Sequence, residues 1–211
     1  MAGKGLLERL AEGPVICAEG YLFELERRGY VQAGPFVPEV VLDHPEVVEQ
    51  LHRELVRAGS DVVEAFTYYA HREKLKVIGR VDDLEEMNRQ ALAIAARVAR
   101  DTGTLLAGNI CNTNVYETDD TSTHDTVRAM FEEQVGWAVD AGADFIIGET
   151  FCWTDEALAA LEVIRASGKP SVITFAVDPE GLHDGADATT ACKRVADAGA
   201  DVVGLNCSRG P

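Results

Sequence analysis

A six-residue phrase occurs three times in this chain, as Ala58-Gly-Ser-Asp-Val-Val63, Ala141-Gly-Ala-Asp-Phe-Ile146 and Ala198-Gly-Ala-Asp-Val-Val203. Each copy follows a stretch of helical periodicity and leads into a short apolar run. The glycine can take positive φ where a helix ends, and the residues behind it begin a strand. The apolar runs do not alternate with polar residues. That suits strands covered on both faces, as in parallel sheets sheathed by helices. Regular alternation of strand and helix points to the α/β class. Two architectures fit: a closed (β/α)8 barrel of TIM type and a doubly wound open sheet. No GxGxxG or GxxxxGK[ST] follows the first strand segment, so nucleotide binding at a switch point has no support.

The expected strands are 14–18, 61–66, 105–110, 144–148, 171–177 and 201–205. Helical patterns occupy 5–12, 21–28, 84–101, about 125–141, a stretch from Asp155 to the Ser167-Gly-Lys-Pro170 stop, and a stretch ending at Ala198. Another helix is expected to be capped by Asp43, with Pro45 just inside it and Glu46 at capping-box spacing. Segments 71–80 and 116–124 read as polar connections.

A chain of 211 residues is long enough for one sizeable core. Its formal net charge of −17 would repel a polyanion, which sets nucleic acid aside as a partner. No apolar run approaches the ~18 residues of a membrane span, and the N-terminus lacks the apolar core of a signal peptide. Five cysteines, an odd number without CxxC spacing, suit reduced thiols. A cytoplasmic protein is the expectation, with homo-oligomer formation left open.

In a barrel, functional groups gather at the carboxyl ends of the strands. Those ends carry Cys17 and Glu19, Glu64 with Tyr68 and Tyr69, Cys111 and Asn112, Glu149, Thr174, and Asn206 with Cys207. A thiol at such a place can be a zinc ligand, a nucleophile or a small buried hydrophobe. Cys192, inside a helix, reads as packing. Glu149 closes an apolar run and needs a cationic or hydrogen-bonding partner, either an internal Arg or Lys or the ammonium group of a ligand. Phe36, Phe66, Tyr68 and Tyr69 can form an aromatic wall for a cation or can simply pack.

Longer stretches carry a family likeness: Phe23-Glu-Leu-Glu-Arg-Arg-Gly-Tyr-Val-Gln-Ala-Gly-Pro-Phe36, Phe66-Thr-Tyr-Tyr-Ala70 with Lys74-Leu75, Ser167-Gly-Lys-Pro170 and Gly204-Leu-Asn-Cys207. With these the chain resembles the homocysteine S-methyltransferases, most closely their betaine–homocysteine branch. The resemblance implies a (β/α)8 barrel, with residues 1–211 forming about six of its eight units and truncated at the C-terminus. It implies zinc at the barrel mouth, with homocysteine and a methyl donor as substrates. Cys207, in the Gly-x-Asn-Cys stretch, matches the first of three zinc ligands. The other two, an adjacent Cys-Cys pair, have no counterpart in this chain.

By the same resemblance Glu149 holds the homocysteine amino group and Tyr69 lies near the methyl donor. Phe36 stands where the betaine branch has Trp, and Thr150 where it has Tyr. Glu19, in Ala18-Glu19-Gly20, stands beside the place of a family Asp. The implied reaction is methyl transfer from a betaine-like onium donor to the homocysteine thiol, giving methionine. S-methylmethionine or a folate is the alternative donor. An inactive barrel fragment that binds no zinc is the alternative of another class.

Overall fold

The computed structural model describes residues 3–18, 20–31, 34–35 and 37–208. In chain order its elements are α1 (Leu6–Leu10), α2 (Tyr21–Arg27), α3 (Val40–Asp43), α4 (Pro45–Arg57), β1 (Val62–Glu64), α5 (Arg72–Val77), α6 (Leu84–Thr102), β2 (Leu105–Cys111), α7 (Thr121–Asp140), β3 (Phe145–Phe151), α8 (Thr154–Ala166), β4 (Ser171–Phe175), α9 (Ala188–Asp197) and β5 (Val202–Leu205). The strands form one parallel sheet in the order β1-β2-β3-β4-β5. Each strand lies beside its predecessor in the chain. A doubly wound sheet reverses direction at a switch point, whereas this sheet winds one way, as a barrel wall does.

The repeated phrase has a structural cause that its glycines alone do not reveal. Asp61 Oδ2 accepts from Ile16 N at 2.9 Å, Asp144 Oδ2 from Leu106 N at 2.8 Å, and Asp201 Oδ2 from Ser171 N at 2.8 Å. Each aspartate thus ties the start of its own strand to the start of the strand before it. The glycine two residues upstream sits at φ 114° (Gly59), 83° (Gly142) or 97° (Gly199), which frees the chain to turn out of the helix. One phrase therefore ends a helix and sets a strand register.

The expected first strand, 14–18, shrinks to a single parallel bridge between Cys17 and Val62. Pro14 has no N–H to donate, so little ladder can form before Cys17. Other boundaries move for local reasons. Asp43 ends α3 instead of capping α4; the N-cap is His44, and Asp43 pairs with Arg80. Segment 71–80 contains α5. Helix α7 begins at Thr121, because Asp120 caps it by accepting from Ser122 N at 3.0 Å.

The sheet has two apolar faces. Val63, Leu106, Ile110, Ile146 and Ile173 pack outward against α6, α7 and α8. Val62, Leu105, Ala107, Phe145 and Ile147 pack inward with Leu6 of α1. Both faces are covered along β2 and most of β3, which is why their sequences do not alternate. Among the described residues no helix is long and apolar enough to cross a membrane.

A buried carboxylate links two of these units. Glu156, in the first turn of α8 and 1% exposed, accepts from Thr113 N at 2.8 Å and Thr113 Oγ1 at 2.6 Å. Burial pushes its pKa up to about 7, against the lowering pull of the two Thr113 hydrogen bonds. In the unfolded chain the group ionises near its ordinary value of 4.5. Below that, both states hold the proton; as pH rises towards 7 the unfolded state releases it first, so stability is lost across this window. The loss amounts to about 3 kcal/mol at 1.36 kcal/mol per pKa unit. Glu156→Gln keeps an acceptor for Thr113 and cannot ionise. In urea titrations it should match the parent at pH 4 and exceed its stability by about 3 kcal/mol at pH 8. Parallel pH curves for the two proteins would refute the assignment.

Candidate active site

At the carboxyl ends of the strands lies a cavity of about 260 Å3. Its polar lining is Glu64, Asn109, Glu149, Thr150 and Cys207. Tyr21, Phe23, Phe66, Tyr68 and Tyr69 form its aromatic side. The polar groups come from β1, β2, β3 and the residues just after β5, so sheet register alone brings them together.

Asn206 is the tie-point of the polar side. Its Nδ2 donates to Glu149 Oε2 at 2.9 Å and to Thr150 Oγ1 at 2.8 Å. Its Oδ1 accepts from Thr150 N at 3.0 Å and Thr174 Oγ1 at 2.9 Å. One amide therefore joins the ends of three neighbouring strands and places Cys207 at the cavity.

Asn109 plays a second bridging part. Its Nδ2 donates to Glu64 Oε1 and to Glu149 Oε1, both at 2.6 Å. Both neighbours are carboxylates, so the amide must turn its nitrogen towards them. Glu64 is 4% exposed, and Glu149 is half-buried. Charge-assisted bonds of this length are the strong kind.

Strained backbone concentrates at the same place. Tyr69, Thr150 and Cys207 line the cavity with φ of 58°, 61° and 51°. Left-handed conformations in non-glycine residues cost on the order of 1–3 kcal/mol each and gather at functional sites. Thr150 is β-branched and sits in a bulge between Gly148 and Phe151. The two Asn206 contacts hold it there. Tyr69 is fixed by donation from its N–H to Cys111 Sγ at 3.3 Å, and Lys74 Nζ lies 4.0 Å from its ring centroid. A cation therefore already covers one face of that ring.

Of the residues expected at the site, Glu149, Thr150, Tyr69 and Cys207 line this one cavity. Glu19 and Phe36 lie outside the described residues. Cys17 and Cys111, at neighbouring strand ends, do not line it. Cys111 is buried, and burial raises its thiol well above the ordinary range, which disfavours a thiolate ligand. Cys17 Sγ lies 3.8 Å from Glu64 Oε2. The bridging function of Asn109 carried no sequence signal, because an Asn inside an apolar strand reads as one polar residue among seven.

A catalytic zinc needs three protein ligands and an open position. Among the described residues no group of three or more His, Cys, Asp or Glu could hold a metal ion. Cys207 is exposed and at the cavity, but by itself it is not a zinc centre.

The sequence matches the profile of the family described as homocysteine S-methyltransferase over residues 16–211. It is 40% identical over 215 residues to betaine–homocysteine S-methyltransferase 1 of Sus scrofa, covering 100% of this chain and 77% of that protein. The Xenopus laevis protein of the same name is also 40% identical, and the chain spans 53% of it, about half its length. Mouse S-methylmethionine–homocysteine S-methyltransferase BHMT2 is 40% identical as well, over 100% of this chain and 56% of that protein. Among solved structures, the metallated form of the homocysteine methyltransferase MmuM from Escherichia coli superposes with a TM-score of 0.79. It covers 95% of this chain and 77% of that one at 22% identity, a likeness of fold.

Proposed function

We propose that this chain, which belongs to the homocysteine S-methyltransferase family, forms the homocysteine-binding part of an enzyme that transfers a methyl group to the homocysteine thiol, giving methionine. The observation that carries this reading is a half-buried carboxylate, Glu149, held by two amides beside an exposed thiol and an aromatic wall. Glu149 takes the ammonium group of homocysteine. That anchor aims the substrate sulfur towards Cys207. Tyr69 serves the methyl donor, Thr150 belongs to the substrate-binding lining beside Glu149, and Glu19 and Phe36 are further substrate-binding residues by family likeness.

In the transfer the homocysteine sulfur loses its proton to solvent and forms the new S–CH3 bond. The donor's bond from methyl carbon to nitrogen or sulfur breaks, and its electron pair stays on the donor, which loses its positive charge. The protein's part is orientation, which can supply much of the rate in such a displacement. Cys207 would supply one thiolate ligand to a zinc ion, which when bound would hold the substrate sulfur as a thiolate. The donor is an onium compound. Relatives named for betaine and for S-methylmethionine are equally identical to this chain, so both belong in the test.

The test gives the full-length protein L-homocysteine with betaine, S-methylmethionine or a methylated folate in turn, and assays methionine. Methionine is expected with at least one onium donor, and Cys207→Ser should reduce its formation to background and lower the zinc content. A Cys207→Ser protein that keeps its zinc and its rate would sink the assignment. Homocysteine binding without any methionine would instead favour the inactive barrel.

A further inference from the structure

We infer that Glu64 is a second specificity-determining carboxylate for the substrate ammonium and that Asn109 is the positioning residue presenting it together with Glu149. This rests on the homocysteine reading above and extends it to residues to which no function has been given. Two observations carry it. Glu64 is buried at the end of β1 and lines the same cavity as Glu149. One amide nitrogen, Asn109 Nδ2, donates to both carboxylates at 2.6 Å, so the two acids are held at a fixed spacing.

Two carboxylates side by side, one buried and one half-buried, favour a cationic ligand between them. A primary ammonium, with three N–H donors, is such a ligand. Glu149 and Glu64 are two acceptors contributed by β3 and β1. A primary ammonium can donate to both, whereas a quaternary ammonium, which has no N–H, can donate to neither. The cradle therefore favours the primary ammonium that homocysteine carries over the quaternary ammonium of a betaine-type donor.

The experiment measures binding of two probes to the full-length protein by calorimetric titration: L-homocysteine, and 4-mercaptobutyrate, which is homocysteine without its amino group. The parent protein should prefer L-homocysteine by at least about 100-fold, as a site built around a polar group does against an analogue lacking it. Glu64→Gln and Asn109→Ala should each cut that preference about tenfold, the scale of one lost charge-assisted hydrogen bond. Binding of 4-mercaptobutyrate should stay near the parent value.

A purely structural effect of either substitution would weaken both probes alike and leave the preference intact, and that result overturns the inference. Should Asn109→Ala fail to fold, Glu64→Gln decides alone, since it keeps the size of the side chain. A parent that discriminates while Glu64→Gln discriminates equally well refutes Glu64 and leaves the homocysteine reading standing. A parent that binds neither probe removes both.

Discussion

Glu149→Ala should weaken L-homocysteine binding by about 100-fold or more, the scale of truncating one partner of a buried hydrogen-bonded charge pair. Binding of the methyl donor should change by less than about threefold, on the scale of a surface change made away from its contacts. The asymmetry follows from the site. Glu149 accepts from Asn109 and Asn206, so its carboxylate is oriented before any ligand arrives. The aromatic residues that suit an onium cation form a separate side of the cavity. Glu149→Gln separates the charge from the shape, because it keeps the size of the side chain and leaves an acceptor for one of the two amides. Separate titrations with homocysteine and with donor provide the check. Equal losses for both ligands would mean that Glu149 supports the cavity as a whole.

Gly108→Val should lower the melting temperature by about 6–12 °C, from an overpacking cost of about 3 kcal/mol in a domain of this size. Gly108 lies in the middle of β2 on the face against α7. A Cβ placed there would meet Ala138 Cβ at 2.6 Å and Ile146 Cδ1 at 2.7 Å. Neither contact can be relieved by a flexible chain end: Ala138 has nothing to rotate, and Ile146 is fully buried. Helix α7 would have to lift from the sheet. The effect should also reach the site, because Asn109 is the next residue and its bonds to Glu64 and Glu149 depend on the register of β2. A thermal melt with a change of less than about 2 °C, within the range of neutral surface changes, would show that α7 yields easily.

Much of the fold could be read before any coordinates. Helix ends at Gly59, Gly142 and Gly199, and strands at 105–110 and 144–148, rest on local rules: a glycine able to take positive φ, and an apolar run of strand length. Glu149, Thr150, Tyr69 and Cys207 were legible as strand-end residues, and their roles came from family likeness. The first strand is shorter than its apolar run suggests, because those residues sit behind Pro14 and join the sheet at the single Cys17–Val62 bridge. Helix α7 starts earlier than its apolar periodicity suggests, because its first turn is polar and its start is set by the Asp120 cap.

By itself the sequence determined the α/β class, the alternation of elements and which residues end each strand. These depend on periodicity and chain stiffness within a few residues. The tertiary structure decided between a doubly wound sheet and a barrel wall, since strand order depends on which strands pair, not on what each strand contains. It also decided that Asn109 joins Glu64 to Glu149 and that Asn206 joins Glu149, Thr150 and Thr174. Those partners lie tens of residues apart. They meet because the strands are in register, and a shift of one residue would turn each of these side chains to the opposite face.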